Sequence, residues 1–201
     1  MARSTPAPRP GTPPARRSEA LLIIDTINDL EFPGGEKVLP WAEKLALCLA
    51  PFRAQAHRHS MPVIYVNDNF GHWQSNFQDV YRHCTRAGAR GRTVARRLKP
   101  TARDYFILKP RNSAFFATSL VPLLEDLKIR RLILAGIATN LCVLFTAHDA
   151  HMHGYPLTVL SDCCAAESDF DHNVALSQLE RFCHAEVCLS TEFRFSSRRA
   201  R

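Results

Sequence analysis

The chain reads as a single α/β domain, a three-layer α/β/α sandwich around a parallel, Rossmann-like sheet of six strands. Three observations predict it. Short apolar runs recur along the sequence, and their unbroken hydrophobicity is that of strands buried on both faces. Segments with apolar residues at helical spacing lie between them, and this alternation is the pattern of parallel strands joined by crossover helices. Nothing repeats internally, and 201 residues, 46% of them hydrophobic, suffice for one core that buries roughly 70% of the unfolded surface.

Taken in order, the first strand is expected at 20–25 and ends in Asp25. A helix follows over Leu39–His59, and a second strand over 62–67. Gly34-Gly35 and the stretch from Gly88 to Gly91 mark loops; neither forms a phosphate-binding glycine pattern after a strand, so no nucleotide cofactor is expected. The third strand, 105–108, runs into Lys109-Pro110. Helix Ser119–Leu127 leads to a fourth strand at 131–135. After the small-residue turn Gly136-Ile137-Ala138 comes a helix over Leu141–His153, where Leu141, Leu144, Phe145 and His148 recur at helical spacing. Thr139 or Asn140 is its candidate N-cap. A fifth strand at 156–161 precedes Cys163 and Cys164. Helix Asn173–Cys183 and a last strand at 185–189 complete the order, with Cys183 and Cys188 flanking the start of that strand.

The ends differ from the body. Residues 1–18 hold five of the 13 prolines, four arginines and no acid, a composition expected to be disordered. The domain is expected over 19–193, and 194–201 forms a second basic tail with four more arginines. No apolar run is long enough for a signal peptide or a membrane span.

The formal charge of +7 resides in those tails, because the body carries 18 basic residues against 19 acids. That distribution argues against a nucleic-acid partner, as does the absence of interleaved aromatics. One stretch of the body stays basic, with eight lysines and arginines and no acid from Arg82 to Arg103. A solvated loop and helix face accounts for it; assembly, or attraction of an anionic substrate, is the alternative. Seven cysteines, an odd number without CxxC spacing, exclude a zinc ribbon or thioredoxin-like site and point to a reducing compartment, the cytoplasm. His57, His59, His151 and His153 are expected at the surface.

Chemistry is concentrated at three strand ends. Cys142 falls in the first turn of its helix, where the dipole and unpaired N–H groups favour a thiolate, the nucleophilic form. A buried structural cysteine is the alternative reading. Asp25 and Lys109 each close an apolar strand. In an open parallel sheet the carboxyl ends of the strands form the ligand-binding edge, so acid, amine and thiol would converge there.

The segments IIDTINDL with Asp25, ILKPRNSAFFAT with Lys109 and GIATNLCVLFTAHDA with Cys142 resemble, in order and spacing, the isochorismatase-like cysteine hydrolase family. The resemblance covers about residues 19 to 192. It implies a catalytic triad of Asp25, Lys109 and Cys142, and a cis peptide at Ile137-Ala138 that helps aim the N–H groups of Ala138 and Cys142 into an oxyanion hole. It further implies cleavage of a small amide, ureido or carbamoyl C–N bond through a thioester. Nicotinamidases in this family carry an Asp-x-His metal motif at the position of Asp68; here Phe70 replaces the histidine, and His72 is the only substitute nearby. No metal and no cofactor are therefore expected. Asp68, Asn69, Phe70 and Trp73, with Phe115 and Phe116 opposite, are the candidate substrate-binding residues, although these aromatics could equally serve a dimer interface. Expected partners are a small-molecule amide or ureide and further copies of the chain, as a homodimer or homotetramer. The competing function is a catalytically silent binding or scaffold module with arginine-rich tails.

Overall fold

The computed structural model describes residues 18–195. Six strands form one parallel sheet: β1 (Glu19–Ile24), β2 (Val63–Asp68), β3 (Tyr105–Lys109), β4 (Arg131–Ile137), β5 (Leu157–Ala165) and β6 (Glu186–Cys188). Their order across the sheet is β3-β2-β1-β4-β5-β6, so the chain reverses direction of growth between β1 and β4. At that switch point the loops leaving neighbouring strands diverge and open a crevice.

Helices cover both faces, as the alternation predicts. On one side α1 (Gly35–Arg58), α2 (Phe77–Cys84) and α3 (Arg92–Arg97) pack through Leu45, Leu49, Phe52, Val80 and Val94 against Leu21, Ile23 and Tyr65. On the other, α4 (Leu120–Asp126), α5 (Leu144–Met152) and α6 (Asp169–Cys183) pack through Leu124, Ala147 and Leu179 against Leu22, Ile24 and Leu134. Alternate residues of β1 thus enter opposite cores, which is why the run Leu21 to Ile24 is apolar throughout.

Several expected boundaries move. Helix α1 starts at Gly35 rather than Leu39, because Gly34, at φ 88°, turns the chain and its carbonyl receives the N–H groups of Lys37 and Val38. Strand β5 runs on to Ala165, so Cys163 and Cys164 lie within it and face opposite cores. Helices α2 and α3 carry no helical pattern in the sequence beyond the loop and helix face read for the basic stretch. Asn76 caps α2 by accepting the Asp79 N–H at 3.1 Å, and α3 hides only Val94 and Ala95 beneath its arginines, too short a stripe to register as periodic. His57 is not a surface residue: its ring, 17% exposed, pairs with Asp104 at 2.6 Å.

Packing also reaches past residue 193. Phe195 lies 5.0 Å from Phe52 and stacks on His59 at 4.7 Å. The expectations for 1–17 and 196–201 fall outside the described residues.

One glycine fixes how the site is built. Gly136, at φ 139°, sits where β4 shifts register against β5, and a Cβ there would lie 2.1 Å from the Ile24 carbonyl oxygen. Gly136→Ala is accordingly expected to destabilise the fold by about 3 kcal/mol or more, from the clash and the left-handed backbone together. Urea unfolding measures it; a loss below about 1 kcal/mol would mean that the backbone here relaxes freely.

Candidate active site

Asp25 follows β1 directly and adopts φ 51°, a conformation held because its N–H donates to the Val66 carbonyl at 3.0 Å. Lys109 closes β3, where it pairs in register with Asp68 of β2. Cys142 lies beyond β4, after a cis peptide between Ile137 and Ala138. Three strand ends on both sides of the switch point thereby bring their side chains together, as the sequence reading anticipated.

The contacts are short. Lys109 Nζ lies 2.7 Å from Asp25 Oδ2, 3.5 Å from Cys142 Sγ and 3.0 Å from the Arg111 carbonyl oxygen. Asp25 Oδ1 accepts the Asp68 N–H at 2.6 Å, and the Asp25 carboxylate and the Cys142 thiol are near enough for each to shift the other's protonation. Lys109 is fully buried, and Asp25 is 4% exposed.

Burial sets the protonation states. It pushes the Asp25 carboxyl up, against the opposing pull of Lys109, the Cys142 hydrogen bond and the Asp68 N–H. Burial alone would lower the Lys109 amine, but the negative charge of Asp25 and the contacts with Cys142 outweigh it, and the amine is raised. The Cys142 thiol is pushed far up by burial and then by the charge of Asp25, which together exceed the pull of Lys109.

That result corrects the expectation of a thiolate favoured by a helix N-terminus. Thr139 to Val143 form a π-helical turn that runs directly into α5 at Leu144, so Cys142 does lie in the first turn, but burial and the charge of Asp25 outweigh the end of the helix. Thr139 and Asn140 cap nothing with their side chains; the Thr139 hydroxyl instead meets His172 Nδ1 at 2.8 Å. All seven cysteines are raised by burial, and most also by a nearby carboxylate; what distinguishes Cys142 is the Lys109 amine 3.5 Å from its sulfur, which pulls against both. Asp25→Asn is expected to raise the iodoacetamide reactivity of Cys142 at pH 7 by about tenfold, since removing an anion leaves Lys109 to favour the thiolate. Slower labelling would place the balance of charge elsewhere.

Beside the sulfur lies a cavity of about 730 Å³. Asp68 and Phe70 line it, as expected of them, whereas Asn69 faces a neighbouring cavity of about 320 Å³ that shares Phe70 as its wall. The other three candidates lie elsewhere. Trp73 is 77% exposed, Phe116 projects from the surface, and Phe115 is buried in the core against His153. Loop direction decides these placements, and residue type gives no sign of it. The cavity is completed by residues that the sequence did not single out, among them Asn28, Glu31, Phe32, Asn112 and Glu167. Their only signal was position just after β1, β3 and β5, at the same sheet edge. No group of three or more histidine, cysteine or acidic residues suited to a metal ion occurs among the described residues.

Comparison with known proteins agrees with this fold. The family model described as Isochorismatase domain matches residues 19–192. The isochorismatase family protein YaaI of Bacillus subtilis is 39% identical over 86% of this chain and 94% of its own length. Ureidoacrylate amidohydrolase RutB of Caulobacter vibrioides is 30% identical over 90% of this chain and 91% of its own. Among solved structures, N-carbamoylsarcosine amidase from Thermoplasma acidophilum superposes with a TM-score of 0.68 at 27% identity, covering 88% of this chain and 98% of that one. The matched segment contains all three strand ends that converge on the cavity, and the chain belongs to the isochorismatase family.

Proposed function

We propose that this protein is an amidohydrolase that cleaves a small amide, ureido or carbamoyl C–N bond through a thioester on Cys142. The observation that carries the reading is a carboxylate and a thiol at the wall of a cavity, with the buried Lys109 amine behind them at 2.7 Å from the carboxylate and 3.5 Å from the sulfur. The names of two relatives, a ureidoacrylate amidohydrolase and an N-carbamoylsarcosine amidase, support C–N cleavage, and both of those compounds carry a carboxylate.

In the mechanism, Asp25 takes the Cys142 proton as the sulfur attacks the carbonyl carbon. The raised Asp25 carboxyl suits this task, because a base works best when its affinity for the proton lies near the working pH. Lys109 keeps its charge throughout, holding Asp25 and offsetting the sulfur as negative charge builds. The N–H groups of Ala138 and Cys142 are assigned to the oxyanion, a contribution of roughly 3 kcal/mol per donor in such holes. As the C–N bond breaks, Asp25 returns its proton to the leaving nitrogen. Water then attacks the thioester, giving its proton to Asp25, and the acid departs as the thiol reforms.

The reaction needs a reduced sulfur, consistent with seven unpaired cysteines and a cytoplasmic setting. No helix among the described residues is long and apolar enough to cross a membrane. Exposed Phe116, Phe145, Phe170 and Phe182 support assembly into a homodimer or homotetramer. A panel of small amides and ureides, assayed for ammonia release with mass-spectrometric trapping of the acylated protein, tests the function. An adduct on Cys142 is expected; turnover with no such adduct would overturn the thioester.

A further inference from the structure

Carboxylates dominate the wall of the cavity. Asp25, Asp29, Glu31, Asp68 and Glu167 line it, and no lysine, arginine or histidine among the described residues does. Three of the five are matched from behind. Asp25 has Lys109 at 2.7 Å; Asp29 has Arg86 at 3.1 Å and His83 at 2.8 Å; Glu31 has the Arg90 N–H at 3.0 Å and its guanidinium at 3.7 Å. Of the basic stretch that could have drawn in an anion, Arg86 and Arg90 are thus engaged by the wall itself.

Two carboxylates remain over. Asp68 lies 3.8 Å from Lys109, an amine already committed to Asp25. Glu167 is exposed at the end of β5 and forms no ion pair among the described residues. Asn28, Asn112 and Asn140 add amide groups to the same wall. The cavity therefore presents acceptors and negative charge to whatever enters, without a cation to receive a carboxylate.

We infer that this site selects amides bearing a positive charge, such as a protonated amine or guanidinium near the scissile carbonyl, over carboxylate-bearing amides. Asp68 and Glu167 are the specificity-determining residues. The chemistry rests on the amidohydrolase reading; the charge preference does not. An uncompensated unit charge about 6 Å away, at a dielectric constant between those of protein and water, changes the local concentration of a unit ion by about tenfold.

Two methanethiosulfonate reagents of similar size, one ending in trimethylammonium and the other in sulfonate, measure the field at Cys142 directly. Each forms a mixed disulfide with the sulfur and releases methanesulfinate. Rates at Cys142, read by peptide mapping and normalised to a neutral small thiol, should favour the cation by about tenfold or more at low salt and approach parity near 0.5 M salt. Glu167→Gln should lower the ratio by about threefold, and Glu167→Lys by about tenfold. A ratio at or below one, or one that neither variant moves, overturns the inference.

Turnover of β-alaninamide, butyramide and succinamate, which are positive, neutral and negative amides of similar length, supplies the second arm. Highest kcat/KM for β-alaninamide is expected; equal turnover of the three, or faster turnover of succinamate, overturns the preference whatever the reagents show. Cation-selective labelling with no amide hydrolysed would instead remove the amidohydrolase reading and leave the charge selection of the cavity standing.

Discussion

Cys142→Ala is expected to lower amide turnover by about ten-thousandfold or more, because the variant keeps the cavity and the oxyanion donors but has no atom to acylate. The fold should survive the change. Cys142 is 9% exposed on a cavity wall, so the lost sulfur costs roughly 1 kcal/mol of burial. The change also takes the thiol's support from the Asp25 carboxylate, which keeps its contacts with Lys109 at 2.7 Å and with the Asp68 N–H at 2.6 Å. A melting temperature close to that of the wild type together with absent turnover identifies a nucleophile. Full activity in Cys142→Ala would remove the thioester mechanism altogether and move the chemistry to water activated by Asp25.

The pieces of this site differ in how far the sequence exposes them. Asp25 and Lys109 are legible because each interrupts an apolar strand at its end, and a charge in that place must find a partner or remain unformed. Their meeting across β2 follows from the strand order β3-β2-β1-β4-β5-β6; the alternation of elements predicts the parallel sheet but not this order. Other features depend on quantities that a sequence does not carry. The state of Cys142 turns on burial and on its closeness to Asp25, and these reverse the effect anticipated from a helix terminus. Trp73, Phe115 and Phe116 looked suited to a pocket by chemistry, yet the directions of their loops send two outward and one into the core. Glu31, Phe32 and Glu167 carry no motif, and only the shape of the crevice recruits them.

Lys109→Met is expected to cost about 3–5 kcal/mol of stability as well as activity, because it strands the Asp25 carboxylate in a buried site without its cation. Lys109 is fully buried and 2.7 Å from Asp25, and methionine fills most of the same volume, so charge rather than packing dominates the loss. The pH dependence identifies the cause. Burial already raises the Asp25 carboxyl above 3.8, and Lys109 opposes that rise; without the lysine the folded value climbs further. Between 3.8, the ordinary value, and the folded value, the folded state binds a proton that the unfolded chain has released, so stability falls as pH rises through this window and levels off above it. The deficit of Lys109→Met relative to wild type should therefore be largest near pH 8 and smaller at an acid pH closer to 3.8, where the raised Asp25 carboxyl takes up its proton and needs no partner. Asp25→Asn combined with Lys109→Met should recover much of the lost stability while remaining inactive, since a neutral amide replaces the stranded charge. Urea unfolding of the three variants and the wild type at the two pH values supplies the comparison. A deficit that is the same at both, and that the double variant does not reduce, would show that Lys109 stabilises the fold by packing and not through its charge on Asp25.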